Sequence, residues 1–366
     1  MPPDSGFAAN DPAEAPTPET LAQVGEGETL RRIFPRLPHA DAELLGPGDD
    51  AAVVAAPDGR YVVTTDMMIQ GPDFRAAWST AHDLGWKAAM SNLADVAAMG
   101  ARPTALVVGL AAPFETPVQT LLGIADGLRD ACAAVAPGCG VVGGDLSTAG
   151  ALTISVTAFG DLEGRRPVRR SGARPGDVVA VAGDLGRAGA GIWLLFRDGV
   201  GAPAGDGTPG EPDERAGREV RSRHPHIVEA QLAPRSPIPA GVVAAGHGAT
   251  AMLDVSDGLV LDARRIAVAS GCTIVFDPAA IAREARELSD LDAVVGDHAV
   301  RFVLEGGEDH ALLATFPPDA PLPDGFRALG AVRSASASGP QVLVGDRAHD
   351  ELGGWDPYAD WDGHAG

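Results

Sequence analysis

Apolar and polar residues alternate from Leu152 to Phe159, a period of two that predicts a half-buried strand. Shorter apolar runs at 51–54, 61–65, 105–110, 141–142, 178–182, 251–255, 301–304 and 311–316 predict further strands. Between them the period changes to that of a helix. Over 79–99 the residues Trp86, Ala89, Leu93, Val96 and Ala97 recur at helical spacing behind a Ser79 or Thr80 cap, and 118–134 reads the same way. Further helices are expected after the Gly-rich turn 183–191, running to about residue 196, and from Gly258 onward; a short one is expected around Leu30, Ile33 and Phe34. The pattern is that of an α/β (α+β) chain in two halves, meeting in the Arg-, Gly- and Pro-rich stretch 170–177. Residues 1–24, rich in Pro, Ala and acids without periodicity, read as a disordered tail. The Gly-, Pro- and Asp-rich segment 198–218 reads as an inserted mobile loop.

Composition sharpens this picture. The 366 residues carry 28 Lys+Arg against 50 Asp+Glu, a net charge of −22. Such a chain repels nucleic acid and anionic membrane; if its ligands are anionic, cations must stand between. The acidity alone is also explained by solubility. Lys87 is the single lysine, set in Leu84-Gly85-Trp86-Lys87-Ala88. Neither the P-loop lysine nor the strand lysine of protein kinases is therefore present. Three cysteines, Cys132, Cys139 and Cys272, form no C-x-x-C, which points to a reduced, cytoplasmic setting. No apolar run reaches the ~18 residues of a membrane span, and the N-terminus has no secretion signal. His224, His226, His247 and His298 are expected in loops without zinc spacing, and no Gly-x-Ser-x-Gly elbow occurs.

The chemistry concentrates in acids at strand ends or in Gly-rich turns: Asp49 and Asp50, Asp66, Asp95, Asp145, Asp254 and Asp257. A carboxylate at a strand end is held rigidly, and a neighbouring glycine lets a phosphate or metal approach the backbone. Each acid alone reads as a turn or cap residue. Together they suit a hard cation such as Mg²⁺, which takes oxygen ligands and bridges to phosphates. Arg170 is either a phosphate-holding fork or a surface arginine. The turn 183–191 lacks a clean G-x-G-x-x-G and reads as a packing turn.

Gly48-Asp49-Asp50-Ala51-Ala52, Thr64-Thr65-Asp66, the stretch from Asn92 to Ala101, Gly143-Gly144-Asp145, Asp254-Val255-Ser256-Asp257-Gly258-Leu259 and Gly306-Gly307-Glu308-Asp309 occur in this order. The ordered set, spanning about residues 25–358, resembles the thiamine-monophosphate kinases of the aminoimidazole ribonucleotide synthetase-like superfamily. The resemblance implies an N-terminal ATP- and magnesium-binding domain (25–165) with a mixed sheet that forms a barrel in a homodimer. It also implies a C-terminal α/β domain (166–358) and a tail (359–366). It implies that Asp50, Thr64, Thr65, Asp66, Asp95, Asp145, Asp254 and Asp257 hold several Mg²⁺ ions. Gly144, Asp145, Arg170 and Ser256 would meet ATP, and Asp73, Glu308 and Trp355 the thiamine monophosphate. Asp73 stands where the family usually has His. The implied reaction is direct in-line transfer from ATP to thiamine monophosphate. A phosphate monoester's second pKa is about 6, so the acceptor oxygen is already mostly ionised and no general base is required. A sister enzyme of the superfamily and a catalytically silent nucleotide- or thiamine-phosphate-binding protein are the alternatives. A selenophosphate synthetase is disfavoured because no cysteine precedes Cys132.

Overall fold

A computed structural model of the chain describes residues 43–45, 52–56, 59–113, 116–202 and 210–349. The first half builds β1 (Glu43–Leu45), β2 (Ala52–Ala56), β3 (Gly59–Ile69), α1 (Ala81–Ala98), β4 (Arg102–Ala112), α2 (Val118–Val135), β5 (Gly140–Thr148) and β6 (Thr153–Asp161). Its sheet runs β1-β2-β3-β6-β4-β5, antiparallel except for the parallel β4–β5 pair. In β6 the alternation of the sequence is realised: Ile154, Val156 and Ala158 are buried and the residues between them are not. The same inner face takes Val62 and Met68 of β3 and Leu106 and Val108 of β4. By register, Thr64 and Asp66 lie on that inner side, whereas Thr65 and Met67 lie on the outer one.

The second half builds β7 (Val178–Ala182), α3 (Arg187–Asp198), α4 (Glu214–Arg223), α5 (Pro225–Leu232), α6 (Ile238–Gly246), β8 (Ala251–Val255), α7 (Leu259–Ser270), β9 (Cys272–Phe276) and α8 (Pro278–Leu291). A 3₁₀ turn (Ala293–His298), α9 (Ala299–Glu305), β10 (Ala311–Phe316), β11 (Arg327–Ser334), β12 (Gln341–Val344) and β13 (Arg347–Ala348) complete it. The second sheet runs β13-β12-β9-β11-β7-β10-β8. Its central strands are apolar without alternation because both faces are covered. Ala180, Ala182, Met252, Leu312 and Ala314 join the core around α1. Val179, Val181, Leu253, Val255 and Leu313 join a second core with α3, α7 and α8.

Helix α1 lies between the two sheets, touching β3, β4, β6, β8 and β10. That explains its composition: 14 of its 18 residues are buried, on every side. Thr80 caps it, its hydroxyl accepting from the Asp83 N–H at 3.1 Å while Asp83 accepts from the Thr80 N–H at 2.9 Å, a reciprocal capping box.

Several expectations are corrected. Residues 301–304, read as a strand, belong to helix α9; four apolar residues carry no period that separates the two states. The segment 198–218 ends in α4, capped by Asp213 accepting from the Ala216 N–H at 2.7 Å. His226 lies in α5 and His298 in the 3₁₀ turn; His224 sits between helices with Nδ1 2.6 Å from Asp292. The helix around residue 30, both tails, Asp49, Asp50 and Trp355 lie outside the described residues. Among the described residues no helix is long and apolar enough to cross a membrane.

Candidate active site

The layer arrangement decides where the acids point. Asp254 pairs in register with Leu312 and shares the strand face of Met252, the face turned toward α1. Asp66 is on the inner face of the opposite sheet. The two carboxylates therefore face each other across the layer that α1 occupies. Asp257, in the loop after β8, and Asp73, in the loop after β3, border the same space. Asp66 is open to solvent at the mouth of this cleft, yet protein walls strip enough water from it to raise its pKa to about 6. Repulsion from Asp254, Asp257 and Asp73 adds to that loss of water, and His310 only partly relieves it.

Helix α1 fixes the wall that carries Asp66. Beyond Val63, β3 runs past the end of its pairing with β2. There the buried Asn92 amide oxygen accepts from the Asp66 N–H at 3.0 Å, while its nitrogen donates to the Ala88 carbonyl at 2.9 Å. Three residues further, Asp95 accepts from the Thr64 hydroxyl at 2.7 Å. One helical turn thus holds both the backbone and the side-chain face of the Thr64–Asp66 segment. Thr65 points away, donating to the Val156 carbonyl at 2.9 Å and accepting from Thr157 at 3.0 Å.

The opposite wall is made of loops pressed together backbone on backbone. A Cβ on Gly258 would stand 2.7 Å from the Glu305 oxygen, one on Gly307 would stand 2.6 Å from the Ser256 oxygen, and one on Gly186 would stand 2.6 Å from Phe302. Gly258 also has φ +122, a conformation other residues rarely adopt. Asp262, in the first turn of α7, accepts from the N–H groups of Asp257 (3.0 Å) and Gly258 (3.2 Å). Arg265 bridges Asp262 and Asp257, so one Asp257 oxygen is already committed to a guanidinium. Asp309 accepts from the Gly186 N–H at 2.5 Å and the Ala188 N–H at 2.8 Å, closing the start of α3.

Between these loops lie three residues the motif reading did not use. His310 Nδ1 is 3.0 Å from Asp254 Oδ2. Burial favours the neutral ring, but the Asp254 hydrogen bond and charge, with Glu308 behind them, outweigh it and raise the His310 pKa. Lys87 Nζ is 2.8 Å from Glu308 Oε1, and Gln231 Nε2 donates to Glu308 Oε2 at 2.5 Å. Burial pushes the Glu308 carboxyl up, but Lys87 and Gln231 prevail and hold it below the usual range. Asp73, accepting from the Ile69 N–H at 2.7 Å, is raised by burial and by Glu308 against the pull of Lys87. Glu308 and His310 both have positive φ, at 67 and 50, the kind of strain that persists where surrounding bonds over-determine it. Lys87 alone had a sequence signal, its uniqueness.

Other expected site residues stand apart. Asp145 pairs in register with Gly109, and Gly109 with Ser155, itself opposite Met67, so it projects from the outer face of the first sheet. There it accepts from the Ser147 hydroxyl at 2.9 Å. A Cβ on Gly144 would stand 2.0 Å from the Val108 oxygen, which accounts for that glycine by strand packing. Arg170 lies in the segment between β6 and β7, its carbonyl accepting from the Ser270 hydroxyl at the end of α7 at 2.9 Å, and the Ser256 carbonyl accepts from the Glu308 N–H at 2.7 Å. Among the described residues no three His, Cys, Asp or Glu side chains converge into a ready-made metal cage. The oxygen donors around Asp66 suit a hard cation whose remaining ligands come from phosphate and water.

The AIR synthase related protein, N-terminal domain, family matches residues 48–162, the stretch from Gly48 through β6. The thiamine-monophosphate kinase of Mycobacterium tuberculosis is 43% identical over 343 residues, 94% of both chains. That of Corynebacterium glutamicum is 39% identical over 316 residues, 86% of this chain and 87% of its own. Among solved structures, AaThiL complexed with AMPPCP and TMP superposes with a TM-score of 0.74 at 28% identity, over 93% of this chain and 99% of the other. With similarity at this level over 94% of both chains, the chain belongs to the thiamine-monophosphate kinase family.

Proposed function

We propose that the chain transfers the γ-phosphoryl group of ATP to thiamine monophosphate, giving thiamine diphosphate and ADP. The observation that carries this reading is the acid cluster of the interlayer cleft, where Asp66 faces Asp254, Asp257 and Asp73. A carboxylate stripped of water and faced by further acids, as Asp66 is, is a poor way to build a core and a good way to attract cations. An oxygen of the acceptor phosphate attacks the γ-phosphorus, and the bond from that phosphorus to the β–γ bridging oxygen breaks. No proton needs to be removed from an acceptor already ionised, so no side chain is assigned as general base. Positioning and charge neutralisation carry the rate.

Asp66, Asp95 and Asp254, with Thr64, are assigned to magnesium on the inner face, and Thr65, whose side chain points to the outer face, by resemblance alone. An ion held by these residues would supply neutralisation of charge on the transferred phosphoryl group. Asp257 joins them if Arg265 yields its oxygen, and Asp50 by resemblance. Gly144, Asp145, Arg170 and Ser256 are assigned to ATP, and Asp73, Glu308 and Trp355 to the acceptor. Asp145 projects from the far side of the sheet, so its contribution requires a second copy of the chain. The homodimer of the family supplies one, and the exposed apolar side chains of β3 and β5, including Met67, Val142 and Leu146, suit such a contact. The division into domains near residue 166 and a cytoplasmic location belong to the same reading.

Purified protein incubated with Mg-ATP and thiamine monophosphate is expected to yield thiamine diphosphate, with free thiamine a poor acceptor. No diphosphate at saturating magnesium would favour the silent binding protein. Equal use of free thiamine would overturn the assigned acceptor.

A further inference from the structure

Lys87 is one lysine among 28 basic residues, the other 27 being Arg. A chain that otherwise uses Arg for every cation keeps a lysine at a single place, and that place is buried: Lys87 is 6% exposed. It lies within α1, most of whose residues are buried. Its ammonium meets Glu308 at 2.8 Å, and Gln231 holds the other Glu308 oxygen. The Glu308 N–H is fixed as well, donating to Ser256 at 2.7 Å, on a backbone with φ 67. The charged and titratable groups facing this carboxylate are Lys87 from α1, Asp73 from the loop after β3 and His310 from its own loop. Gln231 from α5 is neutral.

We infer that Lys87 is a positioning residue for the acceptor side of the reaction, a compact buried ammonium that keeps Glu308 ionised and aimed into the cleft. This rests on the function proposed above. Glu308 is one-third exposed, and a carboxylate this far removed from water takes up a proton more readily without its partner; an Asp73 carboxylate nearby makes that easier. Lys87 touches no expected ATP group, so its effect falls on the acceptor. Arginine preserves the charge but not the size or the point-like geometry.

Steady-state kinetics and thermal melts on Lys87→Met, Lys87→Arg, Glu308→Gln and the double variant Lys87→Met/Glu308→Gln test the inference. Lys87→Met should raise KM for thiamine monophosphate about tenfold or more, with KM for ATP within about twofold of wild type. The defect should shrink as pH rises from about 6 to 9, as Glu308 loses its extra proton. Lys87→Arg should not restore KM. The double variant should be no worse than Glu308→Gln, because Lys87 acts through Glu308. A fall in melting temperature with an unchanged acceptor KM and pH profile would reduce Lys87 to a structural staple. Multiplying defects in the double variant, or full activity of Lys87→Arg, would also overturn the inference. If wild type makes no thiamine diphosphate, it is the proposed function that fails. Lys87 is then judged by melting temperature alone: the deficit of Lys87→Met against wild type should narrow as pH falls toward about 5, and a constant deficit refutes the role.

Discussion

On the proposed function, Asp66 serves chemistry against stability. Its pKa, raised to about 6 from 3.8, means that the folded state binds this proton more tightly than the unfolded chain does. The stability contributed by Asp66 is therefore full below about pH 4 and is lost as pH rises through about 6. In chelator, Asp66→Asn should melt above wild type by a margin that grows from about pH 5 to 8, read by scanning calorimetry. Magnesium with a non-hydrolysable ATP analogue should raise the melting temperature of wild type and leave the variant nearly unmoved. The same substitution should lower kcat by about a thousandfold, the scale of several kcal/mol of lost charge stabilisation. Near-normal turnover at saturating magnesium would remove Asp66 from the cation wall. Asp309 does the opposite task. Asp309→Ala leaves two buried N–H groups at the start of α3 unpaired and should cost about 2–4 kcal/mol in urea unfolding.

Among the elements, α1 is the most constrained. A Cβ on Gly85 would stand 1.9 Å from the Ile124 oxygen of α2, and one on Gly127 of α2 would stand 2.1 Å from the His82 oxygen. The two helices cross with their backbones in contact. Gly85→Ala should cost about 2–3 kcal/mol in urea unfolding, since the obstructing atoms are backbone and cannot swing aside. Elements of this kind were legible in the sequence wherever the period was long. The predicted helix 79–99 is α1, and the expected 178–182, 251–255 and 311–316 are β7, β8 and β10 to the residue. The helices α4, α5, α6 and α8 escaped because Pro, Gly and charge break up their apolar stripes; β11 escaped because its eight residues are largely unburied and mix Gly, Ala and Arg, and β9 because it follows α7 after a single glycine with no change of period to set it off. In the site, Asp66 and Asp254 could be picked out as acids of apolar strands; Asp95, expected at a strand end or turn, lies inside α1, and Thr64 was indicated by the family resemblance alone. The roles of Asn92, Gln231, Lys87 and His310 could not, because they arise from partners 26 to 221 residues away, joined only by the packing of two sheets on one helix.

At the scale of the whole molecule, no described helix or strand packs on the outer side of the first sheet. Met67 on that side is 56% exposed, and Val142 and Leu146 of the edge strand β5 are 70% and 61% exposed, whereas monomers seldom show large contiguous apolar patches to water. Sedimentation should give twice the chain mass, and Val142→Asp with Leu146→Asp should yield a monomer with much reduced turnover, since Asp145 would lose its partner site. A fully active monomer would refute that arrangement. A last consequence follows from α1 itself. Lys87 and Asp95 are eight residues, about 12 Å, apart on one rigid rod, the first aimed at Glu308 and the second at Thr64. Anything that lifts or rolls the rod disturbs both grips together. Sequence drift can therefore alter the choice of acceptor without spoiling the nucleotide chemistry only through the flanking loops at 70–79 and 306–310, and it is there that relatives with changed tastes should differ.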